Sequence, residues 1–171
     1  MRITITKGER EDAIEVVRLD GSSVRTSFPR KGPIPHDAVH FYVEASLGLA
    51  DAFWGTVAAG RHPEEVAALA KAGGHASAKR ASAPIDSIVS LVQAERVVEC
   101  FEADLWSGGA TSPATIRDMV AAGCAQSLVP PMNVSDEAIA SIRSSLVELG
   151  QRWPAAKRGE CLVLHWQGGH A

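Results

Sequence analysis

The segment Pro29-Arg30-Lys31-Gly32-Pro33-Ile34-Pro35 limits what this chain can fold into more than any other. Proline fixes its own φ and lacks the N–H that a sheet ladder or helix interior requires, so the stretch is expected to form a rigid connection and to continue neither. It splits the chain into a front that reads as strands and a long remainder that reads as helices.

In the front, Ile3 and Ile5 alternate with Arg2, Thr4 and Thr6, the period of two expected of a half-buried strand. Ala13–Leu19 and Ser22–Phe28 are two further β-rich runs joined at Asp20-Gly21, a pair that predicts a type I′ hairpin turn. Behind the prolines, helices are expected over His36–Leu47, Asp51–Ala59, Pro63–Ala72, Ile85–Trp106, from Ser112-Pro113 to about Ala122, and from the Ser135 cap to Arg152. Gly73–Pro84 is rich in small residues and predicts a mobile loop. In Glu160–Trp166, Leu162, Leu164 and Trp166 alternate with Cys161, Val163 and His165, which predicts a final strand.

The expected fold class is therefore α+β. A small antiparallel sheet, made of the three N-terminal strands and the C-terminal strand, packs on one face against five or six helices. The 171 residues are one domain's worth, and 46% hydrophobic content suffices for a core without disulfides, so a single domain over 1–171 is expected.

Charge and cysteine usage narrow the partners. A formal net charge of −3 offers no general attraction to nucleic acid or to an anionic membrane. No run approaches the ~20 apolar residues of a membrane span, and Met1–Gly21 lacks the apolar core of a signal peptide, so a cytoplasmic location is expected. Cys100, Cys124 and Cys161 are widely spaced and form no C-x-x-C pair, so reduced thiols are expected.

The chemically suggestive feature is Pro35-His36-Asp37-Ala38-Val39-His40-Phe41-Tyr42-Val43-Glu44. At about 100° per residue, His36 and His40 stand one turn apart on one face, the spacing by which a helix offers two imidazoles to a single metal. His36 borders the apolar stripe of Val43 and Leu47, while Asp37, His40 and Glu44 share its flank at about 40–100° from His36. Imidazoles beside carboxylates at a core edge suit a metal site or an acid–base pair.

The run His36-Asp37-Ala38-Val39-His40 resembles the H-E-x-x-H helix of zinc metallopeptidases. That resemblance implies zinc or another divalent ion on His36 and His40, with Asp37 in place of the general-base glutamate. Aspartate is one methylene shorter, which withdraws its carboxylate by roughly 1.5 Å from a metal-bound water and argues against the peptidase role. The chain also resembles small bacterial proteins with a Pro-His-Asp-x-x-His-aromatic-x-Val-Glu segment and an aromatic-Trp-Gly element, here Phe53-Trp54-Gly55, a likeness that implies no activity.

The candidate site residues are thus His36 and His40 as metal ligands and Asp37 and Glu44 in base or supporting roles. Glu44 lies about 12 Å along the axis from His36, too far to share a metal with both histidines, and is expected to orient His40 instead. His62, His75, Glu95, Glu99 and His165 are the candidate third ligands. The expected function is divalent-metal binding or a small metal-dependent hydrolysis. The alternative is a non-enzymatic module for a small molecule or protein, whose histidines donate to backbone carbonyls of a neighbouring loop.

Other constellations carry less. Cys161 and His165 are about 13 Å apart along one strand, too far for a nucleophile–base bond. Gly73-Gly74-His75 with Lys79-Arg80 reads as a solvated loop more than a phosphate site. Gly123–Ser135 is too long for a DNA-binding helix-turn-helix, which needs a turn of about 3–4 residues.

Overall fold

The computed structural model describes residues 1–72 and 83–168. The strands are β1 (Arg2–Thr6), β2 (Glu11–Val17), β3 (Ser23–Pro29) and β4 (Cys161–His165). They form one sheet in the order β3-β2-β1-β4, every neighbour antiparallel. The register sets Ile3 beside Val16 and Leu164, and Ile5 beside Ile14 and Leu162. All six side chains are buried, each contributing about 1.5–3 kcal/mol by leaving water. The alternate residues Thr4, Glu15 and Arg25 line up on the opposite face, where Arg25 Nε donates to Glu15 Oε1 at 2.7 Å. Period-two patterning thus yields the one-faced sheet that the sequence predicts.

The hairpin between β2 and β3 forms, but its turn is not type I′. Only Gly21 has positive φ (84°), and its N–H donates to the Arg18 carbonyl. This is the three-residue loop with a left-handed third residue. The Asp20 side chain accepts from the Ser22 N–H at 2.8 Å, which holds Asp20 in ordinary negative-φ backbone. The turn consequently consumes Arg18 and Leu19, and β2 ends at Val17 instead of Leu19.

The helices are α1 (His36–Leu47), α2 (Phe53–Ala58), α3 (Pro63–Ala72), α4 (Val89–Trp106), α5 (Pro113–Gln126) and α6 (Asp136–Arg152), with a 3-10 turn at Asp86–Ile88 before α4. Ser112 and Ser135 cap α5 and α6 by accepting from Thr115 N and Ala138 N. The fifth helix runs past Ala122 because Gly123 sits within it, against the Arg96 side chain of α4. A Gly55 Cβ would overlap the Ala50 carbonyl, so only glycine lets α2 fold back this tightly on the 48–52 loop.

Helix α1 packs against α2, α4 and α6, and one apolar cluster runs from the sheet through these helices. Lys7 joins the end of β1 to the end of α6 by donating to the Trp153, Pro154 and Ala156 carbonyls. The cysteines are free thiols, Cys100 and Cys124 buried and Cys161 exposed. Among the described residues no helix is long and apolar enough to cross a membrane. The loop expected over 73–84 lies, for residues 73–82, outside the described residues.

Candidate metal centre

The centre lies in the seam between α1 and α4. Proline at position 35 starts α1, and the next turn sets His36 and His40 on the side facing α4. The partner helix runs antiparallel, as the contacts show: His36 reaches both Glu102 and Glu95, while His40, one turn further on, reaches Glu95 alone.

Each imidazole has one nitrogen on an orienting carboxylate and the other toward Glu95. His36 Nδ1 lies 2.9 Å from Glu102 Oε1 and its Nε2 3.8 Å from Glu95 Oε2. His40 Nδ1 lies 3.2 Å from Glu44 Oε1 and its Nε2 3.1 Å from the same Glu95 oxygen. The two rings meet edge to face with centroids 4.8 Å apart. One ligand atom from each of His36, His40 and Glu95 falls within 4.8 Å of the others, so the group could hold a metal ion. No described loop carbonyl accepts from either ring; the partners are carboxylates.

Glu44 is fully buried and does more than orient His40. Its Oε2 accepts from the Trp54 N–H at 2.7 Å, and so holds the first turn of α2. Trp54 is fully buried and donates from Nε1 to the Asp37 carbonyl at 2.9 Å, tying α2 to the start of α1. Trp54 is therefore a core residue, and its neighbour Phe53 is the aromatic that faces the site, 6.2 Å from both the His40 and Phe28 rings.

The electrostatics follow from this enclosure. Burial disfavours the charged form of His40, but the bonds to Glu44 and Glu95 outweigh it and push its pKa up to about 10. For His36 burial is likewise outweighed, by Glu102 and then Glu95, and its pKa is raised. Burial alone would raise Glu95, yet its bonds to both histidines hold it well below the usual carboxylate range. Asp37 moves the other way: burial lifts its carboxyl, with His40 and His36 only partly offsetting the rise. Both imidazoles are thus shifted toward the charged form by the carboxylates around them, and both Nε2 atoms lie on the side of the Glu95 oxygen.

The cluster opens on a cavity of about 370 Å³. His36, Asp37, His40 and Glu95 are among its polar lining, Phe28, Phe53 and Leu91 supply apolar walls, and Lys31 and Lys71 also line it. Glu44 is not among the lining residues.

Of the five candidate third ligands, the fold brings Glu95 to the histidines. His62 accepts the Glu64 N–H at the start of α3, and His165 is exposed on β4. The Glu99 carboxylate is ion-paired to Arg96 at 3.0 Å, and His75 lies outside the described residues. Glu102 escapes sequence reasoning. Its one signal is that it follows Glu95 by seven residues, two helical turns or about 10 Å, which lets a single imidazole span both carboxylates. Compared with known protein families, curated proteins and solved structures, the chain finds no match.

Proposed function

We propose that the chain binds a divalent ion of the zinc type through His36 Nε2, His40 Nε2 and the Glu95 carboxylate, and uses it to hydrolyse a small molecule held in the adjoining cavity. The observation that carries this reading is the division of labour within both rings. Each Nδ1 is engaged by a carboxylate, Glu102 or Glu44, so each Nε2 is the nitrogen left for a metal, and both Nε2 atoms face one glutamate oxygen. Carboxylate–histidine–metal relays of this kind fix the tautomer and make the imidazole a better donor.

Two imidazoles and one carboxylate are a common catalytic zinc set, because three protein ligands leave a position for water. His36, His40 and Glu95 all line the cavity, so an ion held by them would border it. An ion held by these three residues would supply Lewis-acid activation of a water for hydrolysis. Asp37 lines the same cavity with a carboxyl raised by burial, and is assigned the transfer of protons to and from that water. Glu44 and Glu102 orient the ligands and do not touch substrate.

The test is a calorimetric titration of untagged, chelator-treated protein with zinc chloride, with elemental analysis of the protein as purified. One ion per chain is expected, with uptake abolished in the His36→Ala/His40→Ala double variant. No heat of binding together with no thermal shift on adding zinc, manganese or iron(II) would overturn the metal reading. An intact zinc site with no loss of any hydrolytic activity in Asp37→Asn would overturn the role given to Asp37.

A further inference from the structure

We propose that the cavity beside His36, His40 and Glu95 is built for a small organic anion with an apolar body, a carboxylate or phosphate on a hydrocarbon frame. Its charge lies at Lys31 and Lys71, and its other end is presented to the cluster. The substrate class rests on the metal reading only for what happens at that other end. The cavity's preference for an anion depends on groups outside the ligand set.

The volume of about 370 Å³ has room for roughly a dozen water-sized groups, which sets the size of the guest. The walls are hydrocarbon. Leu91 is buried on α4, and the half-buried Phe28 and Phe53 rings meet edge to face at 6.2 Å. Phe53 is also 6.2 Å from the His40 ring, so the aromatic wall runs without interruption up to the proposed ligands. A guest reaching the metal must therefore lie along this wall, which favours an apolar frame over a peptide or sugar rich in unmatched polar groups.

Both cations come from separate elements, Lys31 from the proline-rich connection and Lys71 from the last turn of α3. Neither ammonium forms an ion pair with a described residue, although both line the cavity. The acidic lining groups are Asp37 and Glu95, of which Glu95 is engaged by the two imidazoles. The cavity thus combines two ammonium groups and a hydrocarbon wall with the reactive cluster. An anion on an apolar body complements both the ammoniums and the hydrocarbon wall, whereas a neutral or cationic guest offers the lysines no counter-charge.

Ligand-observed NMR titrations of phenylbutyrate, its uncharged isostere phenylbutyramide, and benzylphosphonate test this on untagged protein, with and without one equivalent of zinc. The two acids are expected to bind at least tenfold more tightly than the amide. In Lys31→Gln/Lys71→Gln, a replacement of two exposed residues, the acids should fall to the amide's level. Phe53→Ala should weaken acid and amide alike. Equal binding of acid and amide, a preference that survives the double lysine replacement, or no binding of any of the three overturns the proposal. A preference that persists in protein unable to take up zinc would sink the metal reading and leave the anion cavity standing. Zinc uptake without any preference for acids does the reverse.

Discussion

Helix α4 carries two buried carboxylates, Glu95 near its start and Asp104 near its end, and they meet opposite kinds of partner. Asp104 accepts from Arg143 Nε at 2.7 Å, Arg143 Nη2 at 3.0 Å and the Thr111 N–H at 3.1 Å, while Arg143 also donates to the Thr111 carbonyl. Burial would raise Asp104, but the Arg143 bonds hold it below the usual carboxylate range. A guanidinium neither gives up its proton nor offers a lone pair, so this end of α4 is closed to exchange. Glu95 instead meets two imidazoles, which can trade protons for a metal. Similar burial with different partners makes one carboxylate a joint and the other part of a candidate site.

Breaking the joint should have the largest effect on stability. Asp104→Ala leaves Arg143 without its partner in a largely enclosed place and is expected to cost about 3 kcal/mol in urea unfolding, with zinc uptake per folded chain unchanged. A loss below about 1 kcal/mol would show the pair to be no more than a surface bridge. Glu95→Gln should do the converse, weakening zinc by about 100-fold or more, roughly 2.7 kcal/mol, while lowering the unfolding midpoint less than Asp104→Ala does. Glu44→Gln and Glu102→Gln remove one orienting charge each, and about tenfold in zinc affinity is expected from either. In Glu44→Gln the new amide oxygen can still accept the Trp54 N–H, so a collapse of the fold in that variant would contradict the role assigned to Glu44.

The pH dependence of the metal-free protein separates the two carboxylates again. The folded-state pKa of His40, about 10, lies above its ordinary 6.5, so its stabilising contribution is full below about 6.5 and fades as the pH rises through 10. The Asp104 carboxyl is lowered from 3.8, so its contribution is full above that value and is lost only on acidification. Unfolding midpoints from pH 6 to 10 should therefore decline in the parent and in Asp104→Ala, and decline less in His40→Gln. An equal decline in all three would place the alkaline limb elsewhere.

Much of this contrast is legible only on one side of the seam. The ends of α1 follow from Pro35 and Gly48, and the His36/His40 spacing is a property of one helix, readable from local sequence. Glu95 is one of five candidates because choosing it requires the direction and register of α4 against α1, which side-chain packing sets. Glu102 is invisible for the same reason. The β2–β3 hairpin is legible from its flanking patterns, but its turn type depends on whether Asp20 or only Gly21 adopts positive φ, and the Asp20–Ser22 bond decides that.

The Glu44 carboxylate touches His40 with one oxygen and the backbone of Trp54 with the other, next to Phe53. The His40 ring and the aromatic wall thus hang from a single side chain that is fully buried and does not line the cavity. Free-energy changes from altering the wall and from altering the ligand set should consequently fail to add in a double-mutant cycle of Phe53→Ala with His40→Gln. Such a shared anchor would let the occupant of the cavity and the occupant of the cluster sense each other's arrival without touching.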